Sequence, residues 1–187
     1  MEKEAELIKK GGIGILPTDT LYGIVASALN LKAVETVYTV KKRNKNKPCI
    51  VLVRDINSIE RFGIFLTKGI RELLSKIWPG KVTVIFTCEK EQFSYLHRGT
   101  KTIAFRLPKD KKLISFLEKT GPIIAPSANP EGENPASTIE EARAYFGNSV
   151  GFYIDGGTKK SLPSTIIKID KSGYHIVRQG DWKIDSE

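Results

Sequence analysis

The sequence contains few of the residues that build metal-based or covalent active sites. Its 187 residues include two cysteines, two histidines and one methionine. Cys49 and Cys88 lie far apart in separate apolar runs, which favours two buried thiols over a disulfide or a metal site. His97 and His175 are too distant from each other in the sequence to indicate a cluster. We therefore predict no protein-bound metal centre.

Common catalytic signatures are missing as well. The sequence has no Walker-type Gly-x-x-x-x-Gly-Lys, no Gly-x-Gly-x-x-Gly and no Cys-x-x-Cys segment. No Ser/His/Asp triad is evident. Any catalysis should therefore depend on positioning and charge neutralisation, because no residue pattern indicates a covalent protein intermediate.

Long hydrophobic runs are also absent, and none approaches the length that spans a bilayer. The acidic start, Met1-Glu2-Lys3-Glu4, is unlike a secretory signal. A hydrophobic content of 40% and a charged content of 27% are typical of a soluble globular protein. We expect a cytoplasmic protein with no membrane contact, folded as one domain over residues 1–187.

The charge of the chain is strongly unbalanced. Thirty basic residues against 21 acidic ones leave a net charge of +9. This excess favours an anionic partner such as nucleotide phosphates or RNA. A solvated lysine-rich surface and an adaptation to heat are the alternatives.

Helical and strand patterns alternate along the chain, which predicts an α/β fold. The helices are expected at Glu2–Lys10, after Asn30, at Thr67–Ile77, at Asp110–Lys119 and after Thr138. Asn30, Thr67 and Asp110 are expected to cap their helices, and Thr138 has capping-box spacing with Glu141. The strands are expected at Ile13–Leu16, Cys49–Val53, Val82–Thr87, Thr102–Leu107, Ile123–Ala125, Val150–Ile154, Thr165–Ile169 and Tyr174–Val177. The last two should form a hairpin around Lys171-Ser172-Gly173. Hairpins together with helical crossovers predict a mixed sheet flanked by helices.

The segment Pro126-Ser127-Ala128-Asn129-Pro130 directly follows a predicted buried strand. Its two prolines restrict the backbone, so the Ser127 hydroxyl and the Asn129 amide stand on a stiff loop. Polar groups at the carboxyl end of a strand suit ligand binding in an open α/β sheet. An ordinary turn explains the same composition and is favoured if the segment is taken alone.

Two other segments could bind a small polar ligand. Pro17–Gly23 combines three short oxygen-bearing side chains with a tyrosine, although a turn explains it equally well. In Thr102–Leu107, strand alternation places Thr102, Ala104 and Arg106 on one face. Because an unpaired buried charge is costly, Arg106 should either face a ligand or form a structural salt bridge.

Five cations crowd into residues 41–47: Lys41, Lys42, Arg43, Lys45 and Lys47. Cations are favourable at the carboxyl end of a helix, but five of them repel one another unless an anion gathers them. Arginine and lysine both bind phosphate well, so we favour phosphate binding over capping. If the chain turns extended toward Pro48, Lys41 and Arg43 can converge. Pro163–Thr165 and Arg178–Gly180, around the final hairpin, indicate nothing specific by themselves.

These segments occur in a fixed order: PTDTLYG (17–23), KKR and KP (41–43, 47–48), WPG (78–80), RLP (106–108), PSAN (126–129), PST (163–165) and RQG (178–180). The ordered set resembles the YrdC-like family of threonylcarbamoyl-AMP synthases. The resemblance implies a twisted YrdC/RibB-like α/β sheet with a basic concave cavity. It also implies a nucleotidyltransferase that makes threonylcarbamoyl-AMP from L-threonine, bicarbonate or CO2, and ATP, with release of pyrophosphate. The threonylcarbamoyl-AMP would supply the threonylcarbamoyladenosine of tRNA.

The resemblance also implies roles for individual residues. Threonine would be bound by Thr20, Arg106, Ser127 and Ser164. ATP would be bound by Arg43, Lys47, Thr102, Asn129, Ser137 and Arg178. Lys41 and Arg43 would be catalytic, as the family's Lys-x-Arg signature. Magnesium would accompany ATP, and downstream transfer proteins, with tRNA as a possible direct ligand, would be the partners.

Some features depart from the family pattern, and two other functions compete with the one implied. Lys81 stands where many relatives carry a further proline, and the sequence stops soon after Gly180, so we expect no additional carboxyl-terminal domain. A carbamoyl-adenylate activity on carbamoyl phosphate, as in hydrogenase-maturation proteins, is one competing function. A non-catalytic RNA-binding module, supported by the +9 charge, is the other.

Overall fold

A single mixed sheet of eight strands forms the centre of the protein. The computed structural model describes residues 1–170 and 173–182. The strands are β1 Ile13–Pro17, β2 Tyr22–Ser27, β3 Ile50–Leu52, β4 Val82–Thr87, β5 Thr102–Arg106, β6 Ile123–Ile124, β7 Thr165–Asp170 and β8 Gly173–Arg178. Their spatial order is β1-β2-β6-β3-β5-β4-β7-β8. The β3/β5 and β4/β7 pairs are parallel and the other pairs are antiparallel, so the predicted mixed sheet is confirmed.

Six α-helices flank the sheet within the described ranges: α1 Glu2–Lys9, α2 Leu31–Val40, α3 Lys68–Ile77, α4 Ser94–His97, α5 Lys111–Thr120 and α6 Ile139–Phe146. A 3-10 turn at Ile56–Phe62 precedes α3, and two shorter ones cover Glu91–Phe93 and Gly147–Ser149. Asn30, Thr67, Asp110 and Thr138 each accept a hydrogen bond from a backbone N–H of the first turn of their helix. The predicted caps are confirmed because each of these side chains satisfies a donor that the helix leaves free.

The two faces of the sheet are covered unequally. One face carries the larger core, in which α2, α3, α4 and α6 pack against residues such as Val51 and Phe105. The other face carries a smaller cluster, built from residues of α1 and α5 together with Leu16, Val25, Leu52 and Ile123. Neighbouring residues of β3 therefore point to opposite sides, as the period of a strand requires.

The first strand pair was not predicted in full. A loop was expected after Ile13–Leu16, whereas β2 pairs antiparallel with β1 from Ile13↔Ala26 to Pro17↔Tyr22. Residues 18–21 thus form a hairpin connection. No polar alternation marks β2 in the sequence, because five of its six residues are buried and both of its faces are covered.

The strand predicted at Val150–Ile154 is wrong. This segment follows the edge of β1 through hydrogen bonds between Gly151 N–H and Ile13, Ile15 N–H and Phe152, and Ile154 N–H and Ile15. Only the pair Ile15↔Tyr153 has bridge geometry. Its apolar alternation arises because Phe152 and Ile154 pack against the smaller cluster.

The two cysteines and the final hairpin agree with the predictions. Cys49 and Cys88 are free and buried. β7 and β8 form the expected hairpin, whose predicted turn residues Lys171 and Ser172 lie outside the described residues. Over residues 1–170 and 173–182, the longest helices fall short of what a membrane crossing requires in length and apolar character.

Phe105 should contribute strongly to stability. It is fully buried, and its ring centroid lies 5.0 Å from that of Phe62 and 6.1 Å from that of Phe86. We expect Phe105→Ala to lower the free energy of unfolding by about 3–5 kcal/mol, measured by urea denaturation. Phe65→Ala is the control, because Phe65 is 81% exposed and its loss should change the value by less than about 0.5 kcal/mol. Equal effects of the two substitutions would contradict this description of the core.

Candidate functional site

A cavity of about 470 Å3 lies beside the smaller apolar cluster. Leu52 belongs to that cluster, Ile50 and Ala125 pack against it, and all three line the cavity. The rest of the wall comes from the β1–β2 connection, the segment after α2, the end of β5, the loop after β6, and the ends of the β7–β8 hairpin. Segments that are distant in the sequence therefore meet at one place on the sheet.

The cavity wall collects most of the residues expected to bind substrates. Those in the lining are Thr20, Arg43, Lys47, Arg106, Ser127, Ser164 and Arg178. Four of them are cations, and none of the described lining residues is acidic. Cations held together in this way repel one another, so an anionic ligand would stabilise the arrangement.

Arg106 is the most deeply buried of these cations. It ends β5, is 5% exposed, and its Nη2 lies 2.9 Å from Asp19 Oδ1. Its Nη1 donates to the Thr20 hydroxyl at 3.3 Å, while its Nε is buried without a hydrogen-bond partner in the described part of the chain. Burial lowers the pKa of Arg106 and the Asp19 carboxylate opposes that shift. Arg106 therefore both forms a salt bridge and faces the cavity, so the two alternatives from the sequence are compatible.

The β1–β2 connection presents Thr20 to the cavity through a network of short bonds. The Thr18 hydroxyl donates to the Leu21 carbonyl at 2.7 Å and accepts the backbone N–H groups of Thr20 and Leu21 at 3.2 Å. Its oxygen also lies 3.1 Å from the Thr20 hydroxyl. The turn and the ligand-facing alternatives for this segment are thus compatible, because Thr18 builds the turn and both Thr18 and Thr20 line the cavity.

Lys41 holds the loop after β6 through bonds from its ammonium group. Lys41 is 1% exposed, and its ammonium donates to the backbone carbonyls of Ser127 and Asn129. The Ser127 hydroxyl donates to Asn129 Oδ1 at 2.6 Å. Burial, with a further contribution from Arg43, lowers the pKa of Lys41 to about 8. Lys41 thus supports the loop that presents Ser127 to the cavity.

The segment after α2 turns sharply before it reaches the cavity. α2 ends at Val40 with Lys41 as its C-cap, and Lys42 has a φ of +50°, a left-handed conformation. The Arg43 guanidinium then donates to the backbone carbonyls of Lys47, at 3.1 Å, and Pro48, at 2.9 Å. Arg43 and Lys47 line the cavity together, whereas the Lys41 ammonium bonds the backbone of the loop after β6 and does not line the cavity.

The β7–β8 hairpin and the residue before it contribute a further hydroxyl, that of Ser164, and a third arginine, Arg178. The Ser164 hydroxyl lies 2.8 Å from that of Thr83, and the Ser164 carbonyl accepts a bond from Arg178 Nη2 at 2.8 Å. Gly180 leaves no space for a side chain, because a Cβ there would lie 2.2 Å from the Pro163 carbonyl oxygen. Burial lowers the pKa of Arg178.

Four of the expected site residues do not line the cavity: Lys41, Thr102, Asn129 and Ser137. Asn129 lies next to it through its bond to Ser127. Thr102 lies at the far end of β5 from Arg106, with its hydroxyl 3.0 Å from that of Thr100.

Ser137 is engaged by a neighbouring carboxylate. Its backbone N–H and its hydroxyl both contact Glu141 Oε2, at 2.7 and 3.0 Å. The Glu141 carboxylate thus bonds the residue before the helix cap, not Thr138 as a capping box requires. These bonds to Ser137 lower the pKa of Glu141.

Three features of the site region were not predicted from the sequence. Asp19 was one of the oxygen-bearing residues of Pro17–Gly23, for which ligand binding and a turn were both open, whereas it pairs with Arg106. The Tyr22 hydroxyl, a candidate ligand-binding group of the same segment, accepts the Gly156 N–H at 2.8 Å and so ties that loop to the cavity wall. Residues 147–151 have Gly-x-Ser-x-Gly spacing. These residues follow a helix and begin in a 3-10 turn, which is not the strand–turn–helix context of a nucleophile elbow.

Comparisons with known proteins agree with this architecture. The Sua5/YciO/YrdC family model, described as "Telomere recombination", matches residues 6–180. A putative threonylcarbamoyl-AMP synthase of Methanocaldococcus jannaschii is 36% identical over 184 residues, covering 96% of this chain and 86% of that protein. A putative threonylcarbamoyl-AMP synthase of Mycobacterium tuberculosis is 32% identical over 174 residues, covering 92% and 80%.

A solved structure shows the same fold with an amino acid present. The crystal structure of Pyrococcus abyssi Sua5 complexed with L-threonine superposes with a TM-score of 0.88 at 26% identity. The match covers 96% of this chain but only 53% of that one, so the chain spans about half the length of the Sua5 protein. On the extent of the family match and the identity to these relatives, the chain belongs to the Sua5/YciO/YrdC family.

Proposed function

We propose that this protein is a nucleotidyltransferase that makes threonylcarbamoyl-AMP from L-threonine, bicarbonate or CO2, and ATP. The observation that carries the proposal is the convergence of Arg43, Lys47, Arg106 and Arg178 with small hydroxyls on one cavity. Family membership supports it, since relatives at 32% and 36% identity are named as putative threonylcarbamoyl-AMP synthases.

Threonine is assigned to the wall around Arg106. A guanidinium can hold a carboxylate through two parallel bonds, and the Nε of Arg106 has no partner among the residues described. The hydroxyls of Thr20, Ser127 and Ser164 line the same cavity and can bond the amine and the side-chain hydroxyl of threonine. Asp19 keeps Arg106 charged and oriented in a site where burial opposes charge.

The triphosphate is assigned to Arg43, Lys47 and Arg178. Arg43 uses Nε and one Nη2 proton to close its own loop, which leaves its remaining Nη protons for phosphate oxygens. Arg178 is oriented by the Ser164 carbonyl on the threonine side of the cavity. Asn129, Thr102 and Ser137 stay in the proposal as nucleotide ligands. The bond between the Ser137 hydroxyl and Glu141 would have to exchange for Ser137 to serve.

The proposed reaction joins the two ligands in two steps. The threonine amine adds to CO2 and loses a proton, which gives a carbamate. A carbamate oxygen then attacks the α-phosphorus of ATP, and the bond to the bridging oxygen breaks to release pyrophosphate. Because an anion attacks a polyanion, the barrier contains charge repulsion, which nearby guanidinium and ammonium groups reduce most where water is excluded. Lys41 takes part by fixing the Ser127–Asn129 loop next to Arg43.

Magnesium is proposed to arrive with the triphosphate. It would supply further neutralisation of phosphate charge, since it commonly binds through phosphates and few protein carboxylates. Within residues 1–170 and 173–182, no three potential metal-ligating side chains lie together. Asp19, a carboxylate next to the cavity wall, is paired with Arg106, and we name no protein ligand for the ion.

The cellular role follows from the proposed product. Threonylcarbamoyl-AMP would supply the threonylcarbamoyladenosine of tRNA, through transfer proteins acting downstream in the cytoplasm. Direct contact with tRNA is compatible with the net charge of +9.

Omission of single substrates tests the proposal. Pyrophosphate release from ATP should require both threonine and bicarbonate, measured with each left out in turn. Release that depends on carbamoyl phosphate would instead assign the carbamoyl-adenylate activity. Salt-sensitive RNA binding without ATP consumption would assign the RNA-binding module and contradict synthesis.

Arg106→Lys should separate threonine binding from ATP binding. Lysine keeps the charge next to Asp19 but loses the planar fork. We expect the KM for threonine to rise about tenfold or more, with a smaller change in the KM for ATP. Arg71→Lys is the matched control, because Arg71 also bonds a neighbouring carboxylate but lies away from the cavity on α3. An unchanged KM for threonine in Arg106→Lys would remove the carboxylate assignment.

A further inference from the structure

Tyr38 contacts both ends of the cationic loop, residues 43–48. Its backbone carbonyl accepts the Arg43 N–H at 2.9 Å, and its hydroxyl donates to the Lys47 carbonyl at 2.9 Å. Residues 44–47 between these contacts are exposed. One residue of α2 thus contacts both ends of the loop, while Glu131 contacts its exposed part through the Asn44 N–H and the Lys47 ammonium.

Tyr38 is well suited to fix the loop because its side chain is buried in the larger core. It is 2% exposed and packs within the larger core beside Val34 and Val37. The Lys47 carbonyl that it bonds is the same one that accepts from Arg43 Nε at 3.1 Å. The Tyr38 hydroxyl therefore sets the position of the acceptor that orients the Arg43 guanidinium.

Arg98 holds the Tyr38 ring in turn. Its guanidinium carbon lies 3.8 Å from the ring centroid, whereas that of Arg43 lies at 5.8 Å. The Arg98 side chain is 10% exposed and is oriented by Glu35, whose Oε1 lies 2.8 Å from Nη1. Its Nε and Nη2 are buried without hydrogen-bond partners in the described ranges, so the contact with the ring is a principal interaction of this cation.

We propose that Tyr38 and Arg98 are positioning residues for the nucleotide: Arg98 holds the Tyr38 ring, and the Tyr38 hydroxyl sets Arg43 and Lys47 for the triphosphate. Neither residue lines the cavity, so both act through the loop. The inference rests on the proposed function in taking ATP as the ligand. It assigns a role to an arginine and a tyrosine that no step of the proposed reaction uses.

Tyr38→Phe removes one hydroxyl and tests the inference directly. The Kd for ATP, measured by calorimetry without threonine, should rise roughly three- to tenfold, because one orienting hydrogen bond is lost. The Kd for threonine, measured alone, should stay unchanged. Arg98→Lys keeps the charge but loses the planar face, and it should weaken ATP binding in the same selective way.

Tyr95→Phe is the matched control. The Tyr95 hydroxyl also donates to a backbone carbonyl, that of Ala28, at 2.9 Å, and its ring packs against the same core. Both Phe variants should lose a similar amount of thermal stability, while only Tyr38→Phe should weaken ATP binding. An ATP Kd in Tyr38→Phe equal to that of Tyr95→Phe would overturn the inference, as would an equal rise in the Kd values for ATP and threonine.

The outcome is separable from that of the proposed function. A wild-type protein that binds ATP but releases no pyrophosphate with threonine and bicarbonate would contradict synthesis, while selective loss of ATP binding in Tyr38→Phe would still support the positioning role. A wild-type protein that does not bind ATP would overturn both.

Discussion

The buried pair of Arg106 and Asp19 is the constraint on which the site depends. A guanidinium that is 5% exposed requires a nearby carboxylate, and Asp19 supplies one at 2.9 Å from the β1–β2 connection. The pair joins the end of β5 to the β1–β2 hairpin. In the sheet, β6 and β3 lie between that hairpin and β5. Removing either partner would leave an uncompensated charge, so the position of the β1–β2 connection and the charge on the cavity wall are determined together.

The incomplete covering of one sheet face explains why a cavity exists beside this pair. The larger core is closed by α2, α3, α4 and α6, whereas the smaller cluster is built by α1 and α5. Leu52 contributes to the smaller cluster and to the cavity wall at once. The segment after α2, the end of β5 and the end of β8 then bring four cations from three parts of the chain together, at an electrostatic cost that a polyanion would offset.

Local patterns predicted much of the fold and part of the site. The caps at Asn30, Thr67, Asp110 and Thr138 were predictable because a cap requires only residues three apart. Arg106 was recognised because a charge in an apolar strand has few acceptable environments. The hairpin at Pro17–Tyr22 was missed because β2 is buried on both faces and shows no alternation.

Contacts between distant segments were not predictable. Lys41 and the loop at Ser127 are separated by 86 residues, and the destination of the ammonium depends on how α2 packs against β6 and its loop. The partner of Arg106, equally, could not be chosen from among 21 acidic residues without the strand order. The carboxylate of Glu141 bonds Ser137 in place of the cap residue, a shift of one position that spacing alone does not distinguish.

A crystal structure of the chain with L-threonine and a non-hydrolysable ATP analogue tests the central claim most directly. The account predicts both ligands in the one cavity, with the threonine carboxylate on Arg106 and the triphosphate between Arg43, Lys47 and Arg178. Threonine and nucleotide bound in separate cavities, with Arg106 contacting neither, would contradict it.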